Sequence, residues 1–310
     1  MYVQKRTQYQ TNNDLSIRTI SVIINLPNIK GEDIMNIADV KFKELLKHVL
    51  EEGVWDENPR PYWLEEDGSH TPAHSLFTTQ YIETFDISKG EFPITTIKPT
   101  AWKTGIREIF WIYQEASNDL QVARDKFGIK WWNSWNIGDG TIGSTYGAIV
   151  KRLDLMNTLL EGIKNNPYGR RHIMSLWQED DLRGEIGLPP CAFQTLWSVR
   201  GDYLDCTLIQ RSQDILGANN INNIQYVALL MMVAKHCGLK PGKYTHFIQN
   251  VHIYNKHVPI AKEFLGRPVS EKQPKLIFEP KSNNFYEFTI EDFKVIDYEP
   301  QEKIFIPIAI

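Results

Sequence analysis

The sequence predicts an α+β fold, in which strands and helices mix without alternating regularly. Apolar residues recur at helical spacing in some segments and at alternating spacing in others, and the two kinds of segment follow no strand–helix–strand rhythm. A GxGxxG pattern occurs once, at 138–143, but no predicted strand precedes it, and no GxxxxGK[ST] motif occurs, so dinucleotide-binding and P-loop folds are not supported.

Composition narrows the class of protein further. The chain has 310 residues, of which 42% are hydrophobic, enough for a substantial core. A net charge of −4 argues against a nucleic-acid-binding surface. Three cysteines without CxxC spacing predict neither a disulfide framework nor a metal site. The longest apolar run, 226–234, is too short to cross a membrane, so we expect a cytoplasmic protein, or one in the host cytoplasm if a phage encodes it.

The first elements follow from local pattern. Residues 1–36 are expected to be an N-terminal extension of unassigned role, with a candidate strand at ISVIINL, and residues 37–310 to be the main domain. Apolar residues at helical spacing, followed by Gly53, predict an amphipathic helix over 36–52. The Pro-, Gly- and charge-rich stretch 54–75 predicts a long loop.

The later elements are predicted in the same way. A helical stripe includes Ile106, Ile109, Phe110 and Tyr113. The remaining predictions are strands at 76–87, 171–177, 191–200 and 203–211, and helices at 153–165 and 221–237.

Cys191 stands out in the segment LPPCAFQTLWSV. A buried free cysteine is usually a small hydrophobic residue, but two prolines that lead into a strand form a rigid mount for a thiolate. Arg170 and Arg171 have guanidinium groups suited to a phosphate, although adjacent arginines are usually a solvated edge. Arg211 and Ser212 follow a strand in QRSQD, where a plain polar strand end is the alternative.

Three further side chains are candidates. His252 and Tyr254 lie two residues apart and share a face of a strand, as sugar-binding groups or as an ordinary polar face. Glu108 adjoins an apolar helical stripe, and burial there would raise its pKa as a general base requires. A simple amphipathic boundary explains Glu108 almost as well.

In order and spacing, the motifs together resemble thymidylate synthase, particularly the form of some Bacillus and Bacillus-phage proteins. The resemblance runs from about residue 37 to the C-terminus. Its segments are TPAHSL, FPITTIKPTAWKTGIREIFWI, SNDL, DGTIGSTYG, NNPYGRRHIMSLW, LPPC, QRSQD, GLKPG, VHIY and PIAI. The implied fold is a single α+β domain around a large twisted mixed sheet, which packs against its twin in a homodimer.

The resemblance also implies a chemistry. Cys191 is the thiolate that adds to carbon 6 of uracil, and Arg211 lowers its pKa and holds the phosphate. Arg170 and Arg171 reach across from the partner subunit. The cosubstrate is 5,10-methylenetetrahydrofolate, and no metal is implied. The other implied residues are Arg60 and Ser212 for phosphate, His252 and Tyr254 for the deoxyribose, Glu108 and Tyr146 for proton transfer, and Asp214, Trp132, Trp135, Ala309 and Ile310 toward the folate.

Asn222 is the implied base-reading residue, because gapless counts from Asp214 and from Tyr226 both lead to it. Its amide offers an acceptor to N3–H and a donor to O4, which is the pattern of uracil. The expected substrate is therefore dUMP, and cytosine would reverse both hydrogen bonds.

Some positions depart from the family's pattern. Ala192 follows the cysteine where histidine is usual, the loop 215–221 lacks the usual proline and phenylalanine, and Asn133, Gln249 and Asn250 replace other expected residues. The sequence therefore leaves two alternatives beside thymidylate synthase. One is a deoxyuridylate hydroxymethylase, in which water replaces hydride. The other is an inactive nucleotide-binding homologue, against which the retained Cys191 and Glu108 argue.

Overall fold

The computed structural model describes residues 35–182 and 187–310, which belong to the compact unit Ile34–Ile310. The predicted N-terminal extension, including its candidate strand at ISVIINL, lies outside the described residues except for Met35 and Asn36. Within the described ranges, no helix is both long and apolar enough to span a membrane.

Helices cover the sheet and supply several of the candidate residues. The α-helices are α1 (Ile37–Glu52), α2 (Trp102–Ile109), α3 (Leu120–Asp125), α4 (Gly147–Arg152), α5 (Leu155–Asn165), α6 (Asn220–His236) and α7 (Val258–Gly266). A π-helical turn, Phe110–Gln114, extends α2, and a second one, Ile215–Asn219, leads into α6. Such wide turns often occur at functional sites.

The strands form one large sheet and two small ones. They are β1 (Val54–Trp55), β2 (Tyr62–Leu64), β3 (His70–Pro72), β4 (Ser75–Asp86), β5 (Ile173–Ser175), β6 (Ala192–Arg200), β7 (Tyr203–Gln210), β8 (Gln213–Asp214), β9 (Lys240–Tyr254), β10 (Lys275–Phe278) and β11 (Phe293–Ile296).

The large sheet has seven strands in the order β1-β4-β9-β7-β6-β5, with β8 paired to β9 beyond the end of β7. The pairs β7–β9 and β8–β9 are parallel, and the others are antiparallel. The sheet is therefore mixed, and the predicted α+β class is confirmed.

Local chemistry accounts for the best-predicted helix. Asn36 caps α1, since its side chain accepts a hydrogen bond from the Ala38 N–H at 3.0 Å. The stripe Phe42, Leu45, Leu46 and Val49 is buried, as the helical spacing predicts. Helix α6 differs, because residues 223–234 are buried on every side and the helix runs through the core beneath the sheet.

Most predicted elements are confirmed, with changes at their ends. The prediction that 54–75 is a loop is wrong in part, because β1, β2 and β3 lie within it and pair with β4 or with each other. The strand predicted over 171–177 is shorter, being only β5, and the predicted helix 153–165 begins at Leu155.

Candidate active site

The backbone around Cys191 is held at the junction between two strands. Cys191 directly precedes β6, and its carbonyl accepts a hydrogen bond from the Arg211 N–H at 2.9 Å, just after β7. The β6–β7 pairing is irregular between Ala192 and Gln194, which marks a bulge beside the cysteine. The two prolines and this bulge together place the thiol at the edge of the sheet where β6 begins and β7 ends.

The Arg211 side chain is fixed beside the sulfur. Its Nε donates to the Pro190 carbonyl at 3.0 Å and its Nη2 to the Pro189 carbonyl at 2.8 Å. The same Nη2 lies 3.5 Å from Cys191 Sγ. The guanidinium is therefore already positioned to stabilise a thiolate.

The Cys191 thiol does not have the lowered pKa that a neighbouring arginine alone would give it. Burial raises the pKa of Cys191 above its ordinary value, although the charges of Arg211 and Arg60 lower it. The Arg211 charge thus acts in the expected direction, but burial outweighs it in the unliganded chain. The thiol of the unliganded chain is therefore held mainly in its protonated form.

Tyr146 supports the cysteine from the opposite side. Its hydroxyl oxygen accepts a hydrogen bond from the Cys191 N–H at 3.1 Å, and its ring lies 5.0 Å from that of Trp132. Tyr146 has φ 49° and ψ −111°, an uncommon conformation for a residue with a side chain. The next residue must be small, since a Cβ on Gly147 would lie 2.1 Å from the Ser117 carbonyl oxygen.

Glu108 has the raised pKa that the sequence predicts. Burial raises the pKa of this carboxyl from 4.5 to about 7, although hydrogen bonds, among them one from Trp131, lower it. The Trp131 indole N–H donates to Glu108 Oε2. Sequence reasoning missed Trp131 and selected only Trp132 and Trp135, because the adjacent indoles of WWNSW do not reveal which one turns toward the carboxylate.

This raised pKa predicts a pH-dependent stability. Between pH 4.5 and about 7 the unfolded chain loses the Glu108 proton while the folded chain keeps it, so the folded state is destabilised as the pH rises. Glu108→Gln removes this cost. We expect its free energy of unfolding, relative to wild type, to increase by about 2 kcal/mol between about pH 5 and pH 8.

Urea unfolding followed by tryptophan fluorescence at the two pH values measures this difference. Glu161→Gln is the matched control, because Glu161 is an exposed carboxylate. The control should track wild type at both pH values. If the free energy of unfolding of Glu108→Gln changed with pH as that of wild type does, the folded protein would not hold this proton.

Asn222 lies near the start of α6 and faces two glutamines. Its Nδ2 donates to Gln225 Oε1 at 2.8 Å, and its Oδ1 lies 3.4 Å from Gln210 Nε2. Gln225 also hydrogen-bonds Glu108. The candidate base-reading amide and the candidate base are therefore joined through one side chain, which sequence reasoning did not identify.

Asp214, His252 and Tyr254 meet where β8 joins β9. Asp214 and His252 are directly paired in this parallel ladder. Burial raises the pKa of Asp214, but His257, His252 and a backbone N–H more than offset it, so the net shift is downward and the carboxylate is ionised. Burial also lowers the pKa of His252, which is therefore neutral at neutral pH. The Tyr254 ring packs 4.9 Å from it.

The C-terminal tail closes against the same region. Ile310 and Tyr62 exchange two backbone hydrogen bonds, at 2.9 and 3.0 Å. His257 Nε2 lies 2.8 Å from the Pro307 carbonyl, and its Nδ1 lies 3.6 Å from Asp214 Oδ1. His257, which sequence reasoning missed, therefore connects the tail to Asp214. Ala309 lies between these two anchored points.

The two candidate tryptophans pack against each other. Trp132 is buried and lies 5.5 Å from the half-buried Trp135, ring centre to ring centre. Arg60 is exposed in the loop before β2, where its charge lowers the pKa of both Cys191 and Tyr254. Ser212 follows Arg211 and is half-buried. In the parts of the chain that the structure describes, no group of three or more His, Cys, Asp or Glu side chains could hold a metal ion.

Arg170 and Arg171 are not brought to this site within one chain. Both are exposed, and the adjacent His172 carbonyl accepts from the Trp197 N–H at 2.9 Å, well along β6. The six residues from Cys191 to Trp197 span about 20 Å at the usual strand rise. Neither arginine can reach the thiol of the same chain.

Comparison with known proteins identifies relatives over most of the chain. The family model for thymidylate synthase matches residues 40–310. A thymidylate synthase of Lactococcus lactis subsp. cremoris is 47% identical over 86% of this chain and 96% of the relative. One from Streptococcus pneumoniae is 48% identical over the same shares.

A solved structure agrees at the level of the fold. Thermostable thymidylate synthase A from Bacillus subtilis superimposes with a TM-score of 0.82 at 35% identity, over 88% of this chain and 99% of that one. A family model that spans most of the chain, relatives near 47% identity and a matching fold lead to one conclusion: this chain belongs to the thymidylate synthase family.

Proposed function

We propose that this chain converts dUMP to dTMP by reductive methylation, through a covalent bond between Cys191 and carbon 6 of uracil. The observation that carries the proposal is the position of Cys191, whose sulfur lies 3.5 Å from Arg211 Nη2 and whose backbone N–H donates to the Tyr146 hydroxyl. A nucleophile needs a partner that stabilises its ionised form, and Arg211 is such a partner. The names of the relatives favour the synthase over the hydroxymethylase.

In this mechanism, the Cys191 thiolate adds to carbon 6, and carbon 5 becomes nucleophilic. When bound, 5,10-methylenetetrahydrofolate supplies the one-carbon unit that carbon 5 attacks and then the hydride that completes the methyl group. Carbon 5 must also lose its proton, and Glu108, with a pKa of about 7, is the group that takes it up through Tyr146 and ordered water. Elimination of the Cys191 sulfur then releases dTMP, and the folate leaves oxidised as dihydrofolate.

The substrate groups are assigned by their chemistry. Asn222 presents an acceptor and a donor to the uracil edge. His252 and Tyr254 hold the deoxyribose hydroxyl from one face of β9. Arg211, Ser212 and Arg60 bind the phosphate, because guanidinium groups match a phosphate dianion in charge and geometry.

We assign the folate to the space between the tryptophans and the tail. The residues there fit a flat heteroaromatic ring that carries N–H donors. The ionised Asp214 accepts hydrogen bonds, Trp132 and Trp135 provide apolar ring surfaces, and Ala309 and Ile310 cover the space from the C-terminus. Enclosure by these residues would exclude water and so favour hydride transfer over hydroxymethylation.

We infer a cytoplasmic homodimer in which Arg170 and Arg171 complete the phosphate site of the partner subunit. The length of β6 between these arginines and Cys191 supports this arrangement, since neither arginine reaches its own site.

Product analysis tests the reaction itself. The purified protein, incubated with dUMP and 5,10-methylenetetrahydrofolate, should yield dTMP and dihydrofolate in equal amounts, as measured by mass spectrometry and absorbance. The Cys191→Ala protein serves as the blank. A product heavier by one oxygen, with tetrahydrofolate released unoxidised, would show that the protein is a hydroxymethylase and not a synthase. A dUMP-binding protein that forms neither product would be the inactive homologue.

A further inference from the structure

Five polar side chains form one continuous buried chain between the sheet and α6, here called the Asn222 relay. It runs from Glu83 on β4, through Asn223 on α6, His246 on β9 and Gln210 on β7, to Asn222 on α6. The first four members are at most 5% exposed, and His246 is fully buried. Successive contacts measure 2.7, 2.9, 3.0 and 3.4 Å.

The Glu83 end sets the direction of the first hydrogen bonds. Asn223 Nδ2 donates to Glu83 Oε1, so the Asn223 carbonyl oxygen faces the other way. That oxygen accepts from the Tyr244 hydroxyl at 3.1 Å and lies 2.9 Å from His246 Nδ1. An amide oxygen cannot donate, so Nδ1 of His246 must carry a hydrogen.

The opposite end sets the direction independently. Gln210 Nε2 donates to the Ser212 carbonyl at 2.9 Å, and a backbone carbonyl can only accept. The Gln210 side-chain oxygen is therefore the atom that lies 3.0 Å from His246 Nε2. The second ring nitrogen must then carry a hydrogen as well.

We infer that His246 is held as an imidazolium whose charge is balanced by Glu83, the carboxylate oxygen of which lies 3.5 Å from Nδ1. Among the described residues, Tyr244 on the same strand is the other titratable group hydrogen-bonded to the relay, and Tyr81 on β4 interacts electrostatically with Glu83. Helix α6 and strand β7 contribute only amides to the relay. A buried ion pair usually adds little net stability, so its presence here calls for another role.

That role is to fix the amide of Asn222. The Ser212 carbonyl and the His246 Nε2–H hold Gln210 in the same orientation, in which its N–H faces Asn222 Oδ1 and leaves Nδ2 of Asn222 to donate to Gln225. A neutral His246 that accepted at Nε2 would oppose the Gln210 orientation that the Ser212 carbonyl favours, so a reversed Gln210, and with it a reversed Asn222, would become less costly. The reversed amide matches cytosine instead of uracil.

We propose that His246 and Glu83 are positioning residues for uracil selectivity, an inference that rests on the proposed function. The first test is a ¹⁵N NMR spectrum of histidine-labelled protein at neutral pH, with His246 assigned by comparison with His246→Asn. We expect two protonated ring nitrogens for His246. One protonated and one bare nitrogen would overturn the inference, and this measurement does not depend on turnover.

The second test compares two variants of the relay. Glu83→Gln keeps the shape but removes the counter-charge, so His246 should become neutral. We expect the preference for dUMP over dCMP, measured as a ratio of dissociation constants, to fall at least about tenfold, since mismatched buried hydrogen bonds are costly. KM for dUMP should rise more than kcat falls, because Asn222 binds the base.

Tyr244→Phe is the matched control. It removes one hydrogen bond to Asn223 but leaves the direction of the relay unchanged, so its dUMP preference should stay within about twofold of wild type. A folded Glu83→Gln protein with the wild-type preference would overturn the positioning role. A wild-type protein that prefers dUMP, contains the imidazolium and yet makes no dTMP would contradict only the proposed function.

Discussion

Replacing Cys191 by alanine is expected to lower the rate of dTMP formation by at least about 1,000-fold, because loss of a covalent nucleophile removes the whole reaction path. Binding of dUMP should change little, since the phosphate, sugar and base are held by other side chains. The measurement pairs steady-state kinetics with the dissociation constant for dUMP. Together they separate loss of chemistry from loss of binding.

The covalent bond can be located directly. Incubation with 5-fluoro-dUMP and 5,10-methylenetetrahydrofolate should give a stable adduct on the peptide that contains Cys191. Cys237→Ala is the matched control, because burial raises the pKa of this half-buried thiol to about 11 and leaves it protonated. Cys206 is buried, and its pKa is raised well above the ordinary value. An adduct on either of these residues would show that the wrong cysteine was selected.

The raised pKa of Cys191 gives Arg211 a double role. In the free subunit the thiol is protonated, and Arg211 is partly engaged by the carbonyls of Pro189 and Pro190. A bound phosphate would draw on the same guanidinium, and further arginines from the partner would add positive charge near the sulfur. Arg211 would therefore serve both the sulfur and the phosphate.

The sequence predicted elements whose signal is local. The helix α1 and the strands β6 and β7 follow from apolar spacing within each segment, and Cys191 and Arg211 follow from motifs within a few residues. Prediction failed over 54–75, where two- and three-residue strands exist only because β4 or a neighbouring strand pairs with them. Such pairing leaves no periodic pattern in so short a segment.

Prediction of the candidate site from the sequence has the same limit, because it finds only residues with a local motif. Trp131, His257 and His246 act through partners far away in sequence: Glu108, Pro307 and Gln210. Their roles depend on sheet register and on which helix face meets the sheet, and neither is encoded in a local motif. His246 in particular lies within a strand and has no motif of its own, so only the hydrogen bonds on both sides of its ring draw attention to it.

The second large effect concerns the two arginines that lie far from their own thiol. Arg170→Ala and Cys191→Ala proteins should each be nearly inactive as homodimers. When they are mixed and their subunits re-exchanged, activity should return to about a quarter of the wild-type level, because half of the dimers are mixed and each mixed dimer has one intact site. The intact site combines Cys191 of one subunit with Arg170 of the other.

Lys164→Ala provides a matched control, since this exposed cation lies in α5 just before the arginine pair. Mixing it with Cys191→Ala should give only the activity expected from dilution. Subunit exchange is verified by native mass spectrometry. If exchange is complete and the Arg170→Ala mixture stays inactive, the arginine does not act across the interface. Because about 20 Å of strand β6 separates Trp197, beside the arginines, from the thiol of the same chain, it would then have no route to the phosphate, and its effect would have to be on folding or dimer assembly.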